Sequence, residues 1–280
     1  MKKYVLAGVL VLFILGVQIQ AGELHGAAGV TYDTKYIWRG FNVFGNQTAI
    51  HPFVDLDLFG TGFGINVTAH RANHSGYELT ERWDYTVYYQ NHAFGDEAYA
   101  MNYRFGYTYY NYPDMSSHRA WDPTGAHMLN GSIDLQEFHG IFSFPNILHV
   151  KGLVPTYVLV KLWPSNSGTL VGAMSPSGGT ASGFAHIFML DYGLPITCPL
   201  TGGERTLNLH SEVVYNDGVG PQGWNVDHDW SNAVFGISTD FDLGNNLSFT
   251  PAVYYQKSFD TSVNPDRDQV WAGMTVKYAF

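Results

Sequence analysis

The sequence predicts an all-β fold, a closed antiparallel transmembrane β-barrel of about twelve strands, from three observations. Apolar and polar residues alternate with period two over runs of about ten residues, the length of a membrane-crossing strand. Charged residues make up 14 % of the chain and aromatics 16 %, whereas ordinary soluble domains carry about 25 % charge. The closing stretch is itself an alternating strand that ends on Phe280. A soluble β-sandwich would also show one apolar face, but its strands usually run about 5–6 residues. Here large aromatics cover whole runs while the opposite face is small or polar rather than densely charged. That is the pattern of a lipid-facing exterior around a wet interior.

The chain opens Met1-Lys2-Lys3 and then runs apolar from Tyr4 to Val17. This is the basic head and short apolar core of a signal peptide, too short for a spanning helix of about 20 residues. Residues 1–21 are therefore expected to be a leader cleaved near Ala21, and residues 22–280 the barrel. Losing Lys2 and Lys3 makes an already acidic formal charge of −10 two units more negative. Such a chain repels phosphate, so no nucleic-acid partner is expected. Cys198 is the only cysteine, which excludes an intrachain disulfide.

Strands are expected near 26–37, 47–59, 63–72, 79–92, 97–110 and 132–143 in the first half. In the second half they fall near 152–163, 183–194, 206–216, 232–243, 246–258 and 269–280. Trp83, Tyr85, Val87 and Tyr89 oppose Arg82, Asp84, Thr86 and Tyr88. Tyr103, Phe105 and Tyr107 oppose Asn102, Arg104 and Gly106. Gly60-Thr61-Gly62, Gly95-Asp96 and Gly244-Asn245 read as tight turns whose residues tolerate positive φ. Residues 111–131, 164–182, 217–231 and 259–268 read as long polar loops on the other side. Two connections, 144–151 and 195–205, are longer than ideal for the turn side. In the final strand Val270, Ala272, Met274, Val276, Tyr278 and Phe280 alternate with Trp271, Gly273, Thr275, Lys277 and Ala279. Tyr278 and Phe280 are expected to serve as the signal read by the outer-membrane assembly machinery. Closure is required because an open sheet edge in lipid leaves backbone groups without partners. Pro155 and Pro251 each remove a ladder donor, so a bulge or a strand boundary is expected at both.

The opening Val30-Thr31-Tyr32-Asp33-Thr34-Lys35-Tyr36-Ile37-Trp38-Arg39-Gly40-Phe41 resembles the start of the TorF-like family of outer-membrane porins. In that family an aromatic and Arg-Gly close the first strand, a short loop follows, and an alternating second strand comes next. Gln47 to Phe59 fills the last role here, and Glu81, Asp84 and Tyr88-Tyr89 resemble the family's fourth strand. The motif-level likeness covers residues 28–90. It implies an outer-membrane barrel of porin type, without naming a solute.

Taking the polar face as the lumen places Arg39, His51, Asp55, Asp57, Arg82, Asp84 and Arg104 there. Asp134, Lys161, Asp191, His210, Glu212, Asp240, Asp242 and Lys277 follow. A charge at the lipid midplane costs about 2–4 kcal/mol, which argues for burial towards water. Carboxylates outnumber Lys and Arg in this set, which points to a weak cation preference if the pore is open. Paired across the lumen, the same charges would plug it. Arg39 reads as a loop anchor pairing with a carboxylate such as Asp55 or Asp84, with contact to an anionic solute as the alternative.

No cofactor or metal is expected; Asp227-His228-Asp229 is at most a weak cation site in a loop. Barrel lipid hydrolases use a Ser–His pair, and the candidates are His74 with Ser75 and His210 with Ser211. Neighbours on a strand point to opposite faces, and His74-Ser75 has no evident orienting carboxylate. The expectation is a non-enzymatic, porin-like channel for small hydrophilic solutes in the bacterial outer membrane, with outer-membrane lipid around it. A plugged structural or loop-binding barrel is the alternative.

Overall fold

The computed structural model describes residues 23–114, 119–121, 128–130, 134–165, 183–197, 202–218, 228–261, 264 and 268–280. The leader, Cys198, Asp227 and most of the 111–131 and 164–182 loops lie outside the described residues.

The first six barrel strands are β1 (His25–Asp33), β2 (Ala49–Asp57), β3 (Phe63–Ala72), β4 (Arg82–Ala93), β5 (Met101–Asn111) and β6 (Leu135–Ser143). The second six are β7 (Leu153–Pro164), β8 (Gly183–Thr197), β9 (Glu204–Asp217), β10 (Asp229–Thr239), β11 (Leu247–Ser258) and β12 (Gln269–Ala279). Phe241–Gly244 prolongs β10 towards its turn. Each strand pairs antiparallel with its neighbours, and β1 pairs β12, with Val30 opposite Val276, so the sheet closes on itself. All twelve expected strands are present. Closure leaves no unpaired edge, the condition a sheet in hydrocarbon must meet.

The outer face carries Val30, Val54, Trp83, Tyr85, Val87, Phe105, Phe188, Phe235, Val253 and Val276, all exposed to the surroundings. Rings adjoin across strands, as with Phe105 and Phe138 (6.3 Å, stacked) and Phe142 and Tyr157 (6.5 Å, stacked). This belt is fit for lipid and unfit for water. Placing a charge in it, as in Val87→Arg, is expected to destabilise the barrel by about 2–4 kcal/mol in urea titration from lipid vesicles. A loss no larger than that of an interfacial substitution would contradict the lipid-facing assignment.

Both prolines are absorbed without a register shift. Pro155 sits opposite Leu190 and Pro251 opposite Met274 in continuous ladders. The Pro155 carbonyl accepts from the Phe144 amide, so its nitrogen faces β6 where that ladder has just ended. The irregularities fall elsewhere, at Val214/Tyr215 and at Asp242/Gly244. The β8–β9 hairpin keeps its register to Thr197 opposite Glu204, so this connection is shorter than the sequence suggests.

Strand β1 stops at Asp33, earlier than expected. Residues 34–48 form a connection holding a two-rung hairpin, Ile37–Trp38 against Phe41–Asn42. In it Tyr36, Phe41 and Phe44 are buried. Those three aromatics need cover that a surface loop cannot offer, and they find it inside the barrel.

Candidate functional site: a loop folded into the lumen

The lumen at the loop end is crossed by residues 34–48. On one side Tyr36 stacks on His70 (4.8 Å between ring centroids, 8° between planes) and packs on His51 (4.7 Å). Those rings belong to a polar chain along β1–β4. Asp33 contacts His51 (3.2 Å), the two histidines meet Nδ1 to Nδ1 (2.8 Å), and His70 Nε2 reaches Asp84 (3.0 Å). One Nδ1 must donate and the other accept, so the pair shares a single hydrogen between these atoms.

Arg82 is the main anchor. It is only 2 % exposed. Its guanidinium grips Asp84 in a fork (Nε to Oδ1 2.6 Å, Nη2 to Oδ2 2.9 Å) and donates to the Tyr36 hydroxyl (2.8 Å). It also lies 4.0 Å from the Trp38 ring centroid and 4.6 Å from that of Tyr110. Planar stacking and bidentate bonding together suit arginine and not lysine. Next to it Arg39 pairs with Glu137 at 2.5 Å, and Glu137 also accepts from Tyr110 (2.6 Å) and meets His139 (3.0 Å).

On the far wall the tip is held by backbone. Gln256 Nε2 (2.8 Å) and Asn264 Nδ2 (3.1 Å) both donate to the Gly40 carbonyl. Gly40 has φ +94, and a Cβ there would lie 2.6 Å from Asn264 Nδ2, so the position requires glycine. The connection that carries Asn264 is pinned by Asp268, which accepts from Lys257 (2.9 Å) and the Ser258 amide (3.0 Å). The Lys257 ammonium beside it holds the Asp268 carboxyl below its usual range.

The interior is two-natured. Along part of β5–β9 it is apolar: Tyr110, Leu135, Val158, Val160, Leu162, Ala185, Ile187 and Val214 form one buried cluster, with Trp38 of the loop packed on it. Along β9–β12 it is mixed. A cavity of about 180 Å³ lies there, lined by Ile37, Arg39 and Gly40 of the loop and by His210, Glu212, Val234, Tyr254 and Trp271. A second cavity, of about 610 Å³, opens at the turn end beside Gln90, His92, Asn102, Arg104, Ile141 and Ser143.

Most residues assigned to the lumen stand on the inward face. His51, Asp55, Arg82, Asp84 and Arg104 belong to the β2–β5 wall, where Tyr88 donates to Asp55 (2.6 Å) and Arg104 lies 4.1 Å from the Tyr88 ring centroid. Asp191, His210 and Glu212 form a group on β8 and β9 (2.7 Å and 3.7 Å). Asp57 caps the Gly60 amide and Asp242 the Gly244 amide, so both hold turns, while Asp240 accepts from Thr250. Lys277 lies on the inward row of β12, opposite Gly29 and Ser248.

Two assignments need correction. Lys161 lies opposite Phe138 and Phe184 in the outward row, with its amine 4.5 Å from the Phe184 ring centroid. The inward row of β7 is filled by Val158, Val160 and Leu162 of the apolar cluster. Asp134 sits at the rim on the outward phase of β6, bonded to Tyr109 (2.7 Å) and the Tyr112 amide (2.7 Å). Arg39 does hold the loop, but through Glu137 rather than Asp55 or Asp84. Glu137 was legible in principle, because it alternates with the outward Phe138 and Phe142. Of the serine candidates, His74 contacts the Ser75 carbonyl (2.6 Å) and Ser211 donates to the Leu190 carbonyl (3.2 Å), so neither has its neighbouring histidine as a base.

No protein-family model and no curated protein matches the chain. Solved outer-membrane barrels do. The NanC porin aligns with a TM-score of 0.48 at 9 % identity over 91 % of this chain and 99 % of that one. The KdgM porin, solved with disordered oligogalacturonate, gives the same figures. An outer-membrane channel from Pseudomonas putida F1 gives 0.47 at 10 % identity over 94 % of this chain and 98 % of that one. At such identities the likeness is one of barrel architecture alone.

Proposed function

We propose that the chain is a bacterial outer-membrane channel of porin type, through which small hydrophilic solutes diffuse past the 34–48 loop without chemistry. The observation that carries this reading is the division of the lumen. The loop packs on an apolar cluster on the β5–β9 side and leaves a cavity beside β9–β12, where Arg39, His210 and Glu212 stand with Ile37, Val234, Tyr254 and Trp271. The TorF-like opening belongs to the same reading, since Tyr36, Arg39 and Gly40 of that motif are the residues that dock the loop. Tyr278 and Phe280, outward at the turn end, would carry the signal for the assembly machinery.

Carboxylates exceed guanidinium and ammonium groups on the inward face, so a weak cation preference is part of the proposal. The purified barrel in planar bilayers should give discrete conductance steps. Under a tenfold KCl gradient its reversal potential should carry the sign of K⁺ selectivity. A zero or opposite potential rejects the preference, and absence of steps rejects the channel. The second outcome would favour a plugged, structural barrel, the reading that the buried loop anchors support.

A further inference from the structure

We propose that the cavity between the inward loop and β9–β12 is a binding site for a pyranose, a rigid hydroxylated ring with one apolar face; this rests on the channel reading. At about 180 Å³ the cavity is smaller than the roughly 300–1,000 Å³ of pockets for drug-sized ligands, which suits a single ring. One wall is aromatic and held in place. Tyr254 and Trp271 stack at 5.1 Å with 18° between planes, and Tyr254 lies so close over Gly236 that a Cβ there would meet its ring at 2.6 Å. Such a wall offers flat apolar area at little entropic cost.

The other walls carry both signs of charge, each already balanced. Arg39 is paired with Glu137, and His210 stands between Asp191 and Glu212. A monovalent ion would be drawn to one of these groups and repelled by the next. A neutral polyol meets both, because each hydroxyl donates to a carboxylate and accepts from a guanidinium. Arg39 and His210 are held by Glu137 and Asp191, which lie outside the lining, so these two groups need little reordering when the ligand arrives. A ring with axial C–H groups on one face and hydroxyls on its rim matches this combination of walls.

The test compares D-glucose with sorbitol, which has similar hydroxyls but no fixed apolar face, as blockers of the channel in planar bilayers. Glucose should reduce the current saturably, and sorbitol should act only through bulk solution conductivity. Trp271→Leu should raise the half-blocking glucose concentration about tenfold, while Trp271→Phe stays within about threefold of the parent. Heat-modifiable electrophoretic mobility reports folding, and Tyr254→Leu replaces Trp271→Leu if the latter does not fold. Equal action of glucose and sorbitol, or an unchanged half-block in the leucine variant, overturns the site while the channel stands. If the parent passes no current the channel reading falls instead. The site then stands on a glucose-dependent change in tryptophan fluorescence in detergent that the leucine variant lacks, and falls without one.

Discussion

Replacing residues 36–45 with a short Gly-Ser link is expected to raise single-channel conductance several-fold while the twelve strands persist. β1 and β2 pair directly up to Asp33 opposite Ala49, so a brief turn can join them without the intervening hairpin. What is lost is the material that crosses the lumen: Tyr36 on His70, Trp38 on Tyr110 and Gly40 under Gln256. Glu137 and Asp84 then face a wider, wetter pore with an increased surplus of carboxylates, so the cation preference should rise with the conductance. Recordings of parent and shortened protein in the same lipid decide the matter. Equal conductance would mean that the cavity beside β9–β12 is not the limiting section. The shortened barrel should also remain folded, because the ladder that closes β1 on β12 does not involve residues 36–45.

Arg82→Met should lower stability by about 3 kcal/mol, the low end of the cost of removing one partner from a buried ion pair. The low end applies because Asp84 keeps His70 and is 14 % exposed at its side chain. The substitution also strips the Tyr36 hydroxyl of its donor and removes the cation from between Trp38 and Tyr110. Arg82→Lys should recover little, since an ammonium cannot fork onto Asp84, reach Tyr36 and stack on two rings at once. Urea unfolding in vesicles measures the loss. A change below about 1 kcal/mol would show that the loop is held from elsewhere. The same variant should gate noisily in bilayers, as the loop leaves and re-enters the lumen.

Legibility in the sequence followed how strongly each strand separates its two faces. β4, β5 and β12 carry rings and aliphatics along one parity and mostly small or polar groups on the other, with Tyr88, Tyr110 and Trp271 as the inward exceptions, and their orientation is plain from the chain. β7 is apolar on both parities, with Val158 and Val160 against Leu159 and Trp163. Choosing its inward face by its one charge, Lys161, therefore pointed the wrong way. The long polar connections were equally visible, but nothing in the Tyr36–Phe44 stretch distinguishes a loop that folds outward from one that folds inward, apart from its four aromatics. Asp57 and Asp242 share the parity of the polar face yet serve turns, a role set by their closeness to Gly60 and Gly244.

The amino-acid order by itself determined an all-β closed barrel, its strand count and the face each two-sided strand turns to hydrocarbon. Those properties arise from a period of two and from the need of every backbone group in lipid for a partner, both of which are local or topological. Only the tertiary structure decided that the first connection enters the lumen, that Arg39 pairs with Glu137, and that an apolar cluster fills part of the interior. Those outcomes depend on side chains about one hundred residues apart along the chain meeting across a cylinder, and no spacing in the chain encodes that meeting.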